Sequence, residues 1–241
     1  MSSATPGTLY IVSTPIGNDE DLSSRAIRIL KSVHLIAAED PRVTKLLLDR
    51  CGVDTPVTSY PAPDLEEKVG ILVSRLLDGE RIALVCDAGT PIISDPGARL
   101  VEQTIAAQIP VVPIPGVSAA IAALPVSGFR DKTFFFQGHL PRSKAARQQL
   151  LHRLRRQPGT LVFFLDGSGL TATLQEIVSV LGDRRVVLAE NLTKANERFV
   201  RGRPDHVLHE LASTPVKGEM TLLVEGWSGE RSKAGRTRRR R

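Results

Sequence analysis

Four short segments of this 241-residue chain carry side chains suited to chemistry rather than simple connection. They are Ser13-Thr14-Pro15-Ile16-Gly17-Asn18, Ala38-Glu39-Asp40-Pro41-Arg42-Val43-Thr44, the long stretch Cys86 to Gly97, and Pro113 to Ala120. Each follows an apolar, strand-like run. Gly89 and Gly97 let backbone approach a ligand closely or take a positive φ. Pro91 and Pro96 stiffen their loop and so lower the entropy cost of binding. Asp87 offers a carboxylate to a ribose hydroxyl or an amine. Ser118 and Ala119, at an expected helix start, offer backbone N–H donors. Taken singly, each segment also reads as a rigid turn needed only for folding. None is a G-x-G-x-x-G or a phosphate-binding P-loop, so nicotinamide and triphosphate readings lose their main support.

The elements that must position these segments alternate. Thr8 to Ser13, Val33 to Ala38, Val57 to Tyr60, Ile82 to Cys86 and Val111 to Ile114 read as strands. Leu22 to Lys31, Val43 to Leu48 and Arg99 to Ala107 read as helices, as does a segment beginning at an Asp64 N-cap with Glu67 three residues on. Continuous apolar strands between helices predict a mostly parallel sheet covered on both faces. Ligands of such sheets bind outside the carboxyl ends of the strands, where the four segments would share one rim. Prolines and glycines thicken from Pro113, which sets the expected domains at 1–117 and 118–228. In the second, Thr133 to Gln137, Thr160 to Leu165, Val186 to Glu190, Arg198 to Gly202 and Met220 to Glu225 read as strands. Lys144 to Arg155, Leu170 to Leu181 and Pro204 to Leu211 read as helices. The closely spaced last strands predict a mixed sheet.

Composition narrows the class. The chain is 41% hydrophobic and 24% charged, ordinary for a soluble globular protein. No apolar run reaches the roughly 20 residues a membrane helix needs, and the N-terminus lacks the pattern of a signal peptide. The two cysteines, Cys51 and Cys86, are too few for a disulfide scaffold. A reducing cytoplasm is expected. The formal net charge of +6 belongs to residues 231–241, whose seven Arg and Lys face no acid. Setting those seven aside leaves 25 basic against 26 acidic residues, a net charge of −1. The segment 229–241 therefore reads as a disordered basic tail, suited to phosphate backbones or merely to solubility. No His, Cys and carboxylate spacing supports a metal.

Together the four segments resemble the ribosomal RNA small subunit methyltransferase I family, within the tetrapyrrole methylase superfamily. The family's TPIGN segment is matched by Thr14 to Asn18. Its AED-T-R-x-T segment is matched at Ala38, Glu39, Asp40, Arg42 and Thr44, with Pro41 replacing Thr. Its SDAGTP-x-I-x-DPG loop runs from Asp87 to Gly97, with Cys86 for Ser, and its PGP-x-A segment appears as Pro115, Gly116 and Ala119, with Val117 for Pro. A GHLPR-like stretch, Gly138 to Arg142, and a KGEM segment, Lys217 to Met220, follow. Three departures stand out: Leu165-Asp166-Gly167-Ser168-Gly169-Leu170 replaces a Tyr-Glu-Ser-x-x-Arg stretch, Asn191 displaces an acid before Leu192-Thr193-Lys194, and the family's further C-terminal domain gives way to the basic tail.

The resemblance implies two α/β domains with S-adenosylmethionine in a cleft between them, and 2′-O-methylation of a cytidine ribose in the decoding region of small-subunit ribosomal RNA. It implies a cofactor wall of Pro15, Ile16, Gly17, Asp87, Gly89, Thr90, Pro91, Ser118 and Ala119, with apolar contacts from Leu165 and Met220, and a homodimer. Because a ribose hydroxyl is a poor nucleophile, a base or a cationic neighbour should help. Candidates are Glu39, Asp40, Arg42, Lys194 and Glu219: Asp40 or Glu39 to take the proton, Arg42 and Lys194 to orient phosphate. The competing structural expectation is a Glu39–Arg42 ion pair. Arg142, Lys144, Arg147, Arg153, Arg155 and Arg156 are candidate RNA contacts, with Lys144 and Arg147 on one helix face. At 4% aromatics, base stacking is not an obvious mode. Two alternatives stand beside this reading: a methylase of small tetrapyrrole-like molecules, and a cofactor-binding relative that no longer turns over.

Overall fold

The computed structural model describes residues 6–60, 65–94, 96–165, 170–214 and 218–229, and the chain divides into two compact units, Met1–Ala119 and Ala120–Arg241. The expected Asp64 cap, the altered stretch Asp166 to Gly169, Lys217 and the basic residues from 231 onward lie outside the described residues.

The first unit holds strands β1 (Thr8–Val12), β2 (Leu35–Ala38), β3 (Val57–Ser59), β4 (Arg81–Val85) and β5 (Val111–Ile114). They form one parallel sheet in the order β3-β2-β4-β1-β5. Helices α1 (Ser24–Ser32), α2 (Pro41–Arg50), α3 (Leu65–Leu77) and α4 (Ala98–Ala106) are the crossovers. Local chemistry explains where they begin. Ser23 accepts from the Ala26 N–H at 3.1 Å to cap α1. Asp40 caps α2 through the Arg42 N–H at 2.8 Å, and Pro41 occupies the first turn, where its missing N–H costs nothing.

Two cores follow from the crossovers. Ala26 and Leu30 of α1 and Leu47 and Leu48 of α2 pack with Val12, Ile36, Ala38, Ala83 and Val85. Val69, Leu72 and Leu76 of α3 and Leu100 of α4 pack with Leu9, Leu35, Ala37, Ile82 and Leu84. Alternate residues of one strand serve opposite faces, so α1 and α2 cover one face and α3 and α4 the other. This accounts for the continuous apolar β2 and β4.

A short helix α5 (Ala119–Ala123) opens the second half, followed by β6 (Phe134–His139), α6 (Lys144–Leu154), β7 (Thr160–Leu165), α7 (Leu170–Leu181), β8 (Val186–Glu190), β9 (Arg198–Gly202), α8 (Pro204–Ser213) and β10 (Met220–Val224). The sheet order is β6-β7-β10-β8-β9, with β6 and β7 parallel and the other pairs antiparallel. It is a mixed sheet, as the strand spacing predicted. Leu150, Leu151, Leu174, Ile177, Val207 and Leu211 of α6, α7 and α8 share one core with Leu161, Phe163, Leu188 and Leu222. β6 runs two residues past its expected end. A register shift between Phe136 and Gly138, with Gly138 at φ 71°, inserts a bulge that lets pairing resume as far as His139.

Candidate active site

The four segments lie at the carboxyl ends of β1, β2, β4 and β5, and in the sheet these strands are neighbours. The order β2-β4-β1-β5 brings each loop beside the next, and hydrogen bonds lace them together. Thr14 and Gly89 form an isolated antiparallel bridge between the first and third loops. The Thr14 hydroxyl also donates to the Cys86 carbonyl at 3.0 Å. The second and third loops are tied twice: the Asp40 N–H donates to Asp87 Oδ1 at 3.0 Å, and the Asp87 N–H donates to Glu39 Oε2 at 3.3 Å. Thr90 links the third loop to the fourth by donating to the Val117 carbonyl at 3.0 Å, and to the first through Ser13 Oγ at 2.9 Å.

This lacing falls where the sheet changes direction. β1 leads into α1 and β4 into α4, and these helices cover opposite faces. Adjacent strands whose connections part in this way open a crevice at their carboxyl ends, the usual ligand position in such sheets. Glycines keep it close-fitting. Gly89 has φ 86°, and a Cβ there would lie 3.3 Å from Ile16 Cγ2. A Cβ on Gly116 would meet Ser13 Cβ at 2.7 Å, so the fourth loop presses against the first only because it is glycine there. Pro15 and Pro91 are buried, Ile16, Thr90, Ser118 and Ala119 half-buried, and Gly17 and Asp87 exposed.

The expected Glu39–Arg42 ion pair gives way to a different one. Arg42 pairs with Asp40, Nη2 to Oδ2 at 2.7 Å, and its Nε donates to Oδ1 at 3.2 Å. The reason is local: Asp40 already caps α2, and that rotamer points its carboxylate at the guanidinium of the first turn. Hydrogen bonds from the Arg42 side chain and N–H hold the Asp40 carboxyl down to about 2, and the same pairing pushes Arg42 up. Glu39 remains half-buried at the end of β2, against the third loop.

The candidates of the second unit also meet among themselves. Met220 of β10 is in register with Leu165 of β7 on one side and Glu190 of β8 on the other. Met220 is buried, and Leu165 half-buried. After β8 the chain turns through Asn191 at φ 52° and Thr193 at φ 65°. The Asn191 N–H donates to the Glu219 carbonyl at 3.2 Å, which fixes this turn against the start of β10. Lys194 Nζ lies 3.5 Å from Glu219 Oε2. The acid-to-Asn departure thus sits in a strained, backbone-anchored turn, and a Cβ on Gly218 would fall 2.8 Å from the Asn191 Oδ1.

One basic candidate has another task. Arg147 is not a free surface cation: it makes a two-pronged pair with Glu176 of α7 at 2.7 and 2.8 Å and caps the Pro141 and Arg142 carbonyls. The two side chains are only 14% and 11% exposed. Arg142, Lys144, Arg153, Arg155 and Arg156 are exposed. Ser13, the first residue of the first segment, is buried on the rim, where its hydroxyl meets that of Thr90. Among the described residues no group of three His, Cys, Asp or Glu is arranged to hold a metal, and no helix is long and apolar enough to cross a membrane.

A doubly wound parallel sheet whose rim loops are laced at the change of direction, followed by a mixed sheet with helices packed on it, defines a two-unit α/β protein of the ligand-binding kind. The model for tetrapyrrole (corrin/porphyrin) methylases matches residues 8–207. A Halalkalibacterium halodurans protein named ribosomal RNA small subunit methyltransferase I is 44% identical over 93% of this chain and 78% of its own. A Thermotoga maritima protein of the same name is 39% identical over 91% of this chain and 99% of its own. Among solved structures, uroporphyrin-III C-methyltransferase from Thermus thermophilus, complexed with S-adenyl homocysteine, superposes with a TM-score of 0.63 at 20% identity, covering 91% of this chain and 97% of that one. The chain belongs to the ribosomal RNA small subunit methyltransferase I family of the tetrapyrrole methylases, and it is an S-adenosylmethionine-dependent methyltransferase.

Proposed function

We propose that this methyltransferase acts on small-subunit ribosomal RNA, methylating the 2′-hydroxyl of a cytidine ribose in the decoding region. The relatives' printed name supports the acceptor class, and the matched rim segments support the finer site. The observation that carries the reading is the reciprocal tie between Asp87 and the Glu39-Asp40 pair, which holds the carboxylate proposed for the cofactor beside those proposed for the acceptor.

The residues present fit S-adenosylmethionine. Ile16 offers half-buried apolar surface backed by the buried Pro15 and Pro91, Gly89 lets the third loop lie against it without a side chain between, and the exposed Asp87 has a carboxylate for hydroxyl or ammonium groups. Thr90, Ser118 and Ala119 complete this wall. When bound, the cofactor supplies the electrophilic methyl carbon of a sulfonium. The rim residues would hold that methyl and the acceptor hydroxyl in register, and such positioning is worth several kcal/mol. Of the two candidate bases, Glu39 suits the proton better. Asp40, held near 2 by Arg42, is a weaker base and serves to orient that guanidinium toward phosphate. Within the second unit, Lys194 pairs with Glu219. The reading also places the protein in the cytoplasm as a homodimer.

The decisive experiment is transfer of labelled methyl from S-adenosylmethionine, comparing naked small-subunit RNA with purified subunits lacking the modification. Label on a cytidine ribose of either supports the reading. Label only on a small tetrapyrrole overturns it, and cofactor binding without label on any acceptor leaves a binding protein.

A further inference from the structure

Aromatic residues are sparse in this chain, yet the fold gathers them. Five of the seven phenylalanines, Phe134, Phe135, Phe136, Phe163 and Phe164, lie on β6 and its neighbour β7. The register pairs Phe134 with Thr160, Phe136 with Val162 and His139 with Phe164. The alternation of side chains puts Phe134, Phe136, His139 and Phe164 on the face opposite Leu161 and Phe163, which serve the helix-covered core. Phe136 meets Phe164 edge-on with centroids 4.9 Å apart, and His139 meets the same ring at 5.6 Å. Phe134 is 44% exposed, an unusual cost for a large apolar ring at a sheet edge.

Charge frames this row at both ends. Arg130 and Lys132 precede β6 and Arg142 and Lys144 follow it; all four are exposed, and none is within ion-pair distance of a carboxylate among the described residues. The nearby acid, Asp131, is already engaged by the Thr160 hydroxyl and the Gly226 N–H, both at 2.8 Å. Exposed rings between unneutralised cations are the combination that holds single-stranded nucleic acid, the rings stacking on bases and the cations meeting phosphates.

We infer that the β6 edge is a stacking platform for an unpaired segment of the RNA acceptor. The inference rests on RNA being the acceptor class. It assigns Phe134 and His139 to base stacking and Arg130, Lys132, Arg142 and Lys144 to the strand's phosphates. It also revises the expectation that stacking is not an obvious mode: composition counts rings over the whole chain, whereas the fold concentrates them on one edge.

The test uses the full chain and a single-stranded RNA oligonucleotide carrying 2-aminopurine, with a duplex of the same sequence as competitor. Stacking on the platform quenches the fluorophore, and single strand binds in preference to duplex. Phe134→Ala loses the quench and weakens binding roughly tenfold, Phe134→Trp restores both, and Leu46→Ala, an exposed apolar side chain of the first unit, leaves both unchanged. Cofactor affinity by calorimetry shows that the variants are folded. Unaltered quench and affinity in Phe134→Ala overturn the platform, as does a change of sedimentation with no change in RNA binding, which would make this edge a contact between copies. Quench without methyl transfer to any RNA sustains the platform and sinks the proposed reaction instead.

Discussion

Thr14 and Gly89 exchange both of their backbone hydrogen bonds, Thr14 N–H to the Gly89 carbonyl at 2.8 Å and Gly89 N–H to the Thr14 carbonyl at 3.1 Å. Two loops separated by most of the first sheet's sequence are thereby made one surface. The bridge needs Gly89 at φ 86° with Ile16 against it. Gly89→Ala is expected to cost about 1–2 kcal/mol of stability and to weaken cofactor binding more than it slows turnover at saturating cofactor. Urea denaturation and calorimetry on the same variant check the two halves of this expectation. Unchanged affinity would place the cofactor elsewhere on the rim.

The two adjacent acids after β2 should separate cleanly in kinetics. Glu39→Gln is expected to lower kcat by roughly 10²- to 10⁴-fold, the usual size of a general-base contribution. Asp40→Asn retains a capping side chain for α2 and loses only the hold on Arg42, so its effect falls mainly on KM for RNA. A pH–rate profile offers an independent check. An acidic limb near pH 2 that vanishes in Asp40→Asn would return the proton to Asp40, whose carboxyl is held down to about 2.

The Arg147–Glu176 pair predicts acid sensitivity of the second unit. The guanidinium beside Glu176 holds its carboxyl below the ordinary value. A carboxyl depressed in the folded state contributes stability above its unfolded value, about 4.3, and that contribution is lost as pH falls through the depressed folded value. Stability should therefore drop on acidification below about pH 4, and Glu176→Gln should remove that part of the drop while costing about 3 kcal/mol at neutral pH. Thermal unfolding across pH reads both. Arg147→Met should destabilise without altering the salt dependence of RNA binding.

For the exposed cations the expectation is the reverse. Arg142→Ala, Arg153→Ala and Arg156→Ala should leave stability within about 0.5 kcal/mol. Each that contacts phosphate should reduce the slope of log K against log salt by about 1. A slope identical to the parent's in all three would remove this side of the second unit from the RNA contact surface.

How far the sequence was legible depends on the range of each interaction. The rim segments could be read because an apolar run followed by Gly, Pro and Asp is a local pattern, and the capping of α2 by Asp40 is local too. The partner of Arg42 was misjudged by one residue. At a strand end neighbouring side chains diverge, and the helix cap, not proximity in sequence, chose Asp40 over Glu39. Arg147 was misread because Glu176 is brought to it by the packing of α6 on α7, which periodicity does not reveal. The phenylalanines of β6 were visible as a run, but their meeting with Phe164 depends on a parallel register and a bulge at Gly138.

β1 also constrains the order in which the protein can be made. Its partners are β4 and β5, beginning at Arg81 and Val111, and it pairs with neither β2 nor β3. As the chain leaves the ribosome, this strand therefore waits for more than half of the first unit to be synthesised before its edges are satisfied. Such long-range pairing is slow and leaves strand edges exposed meanwhile. Destabilising changes in β4 should accordingly show first as poor soluble yield during expression, before any defect in purified enzyme.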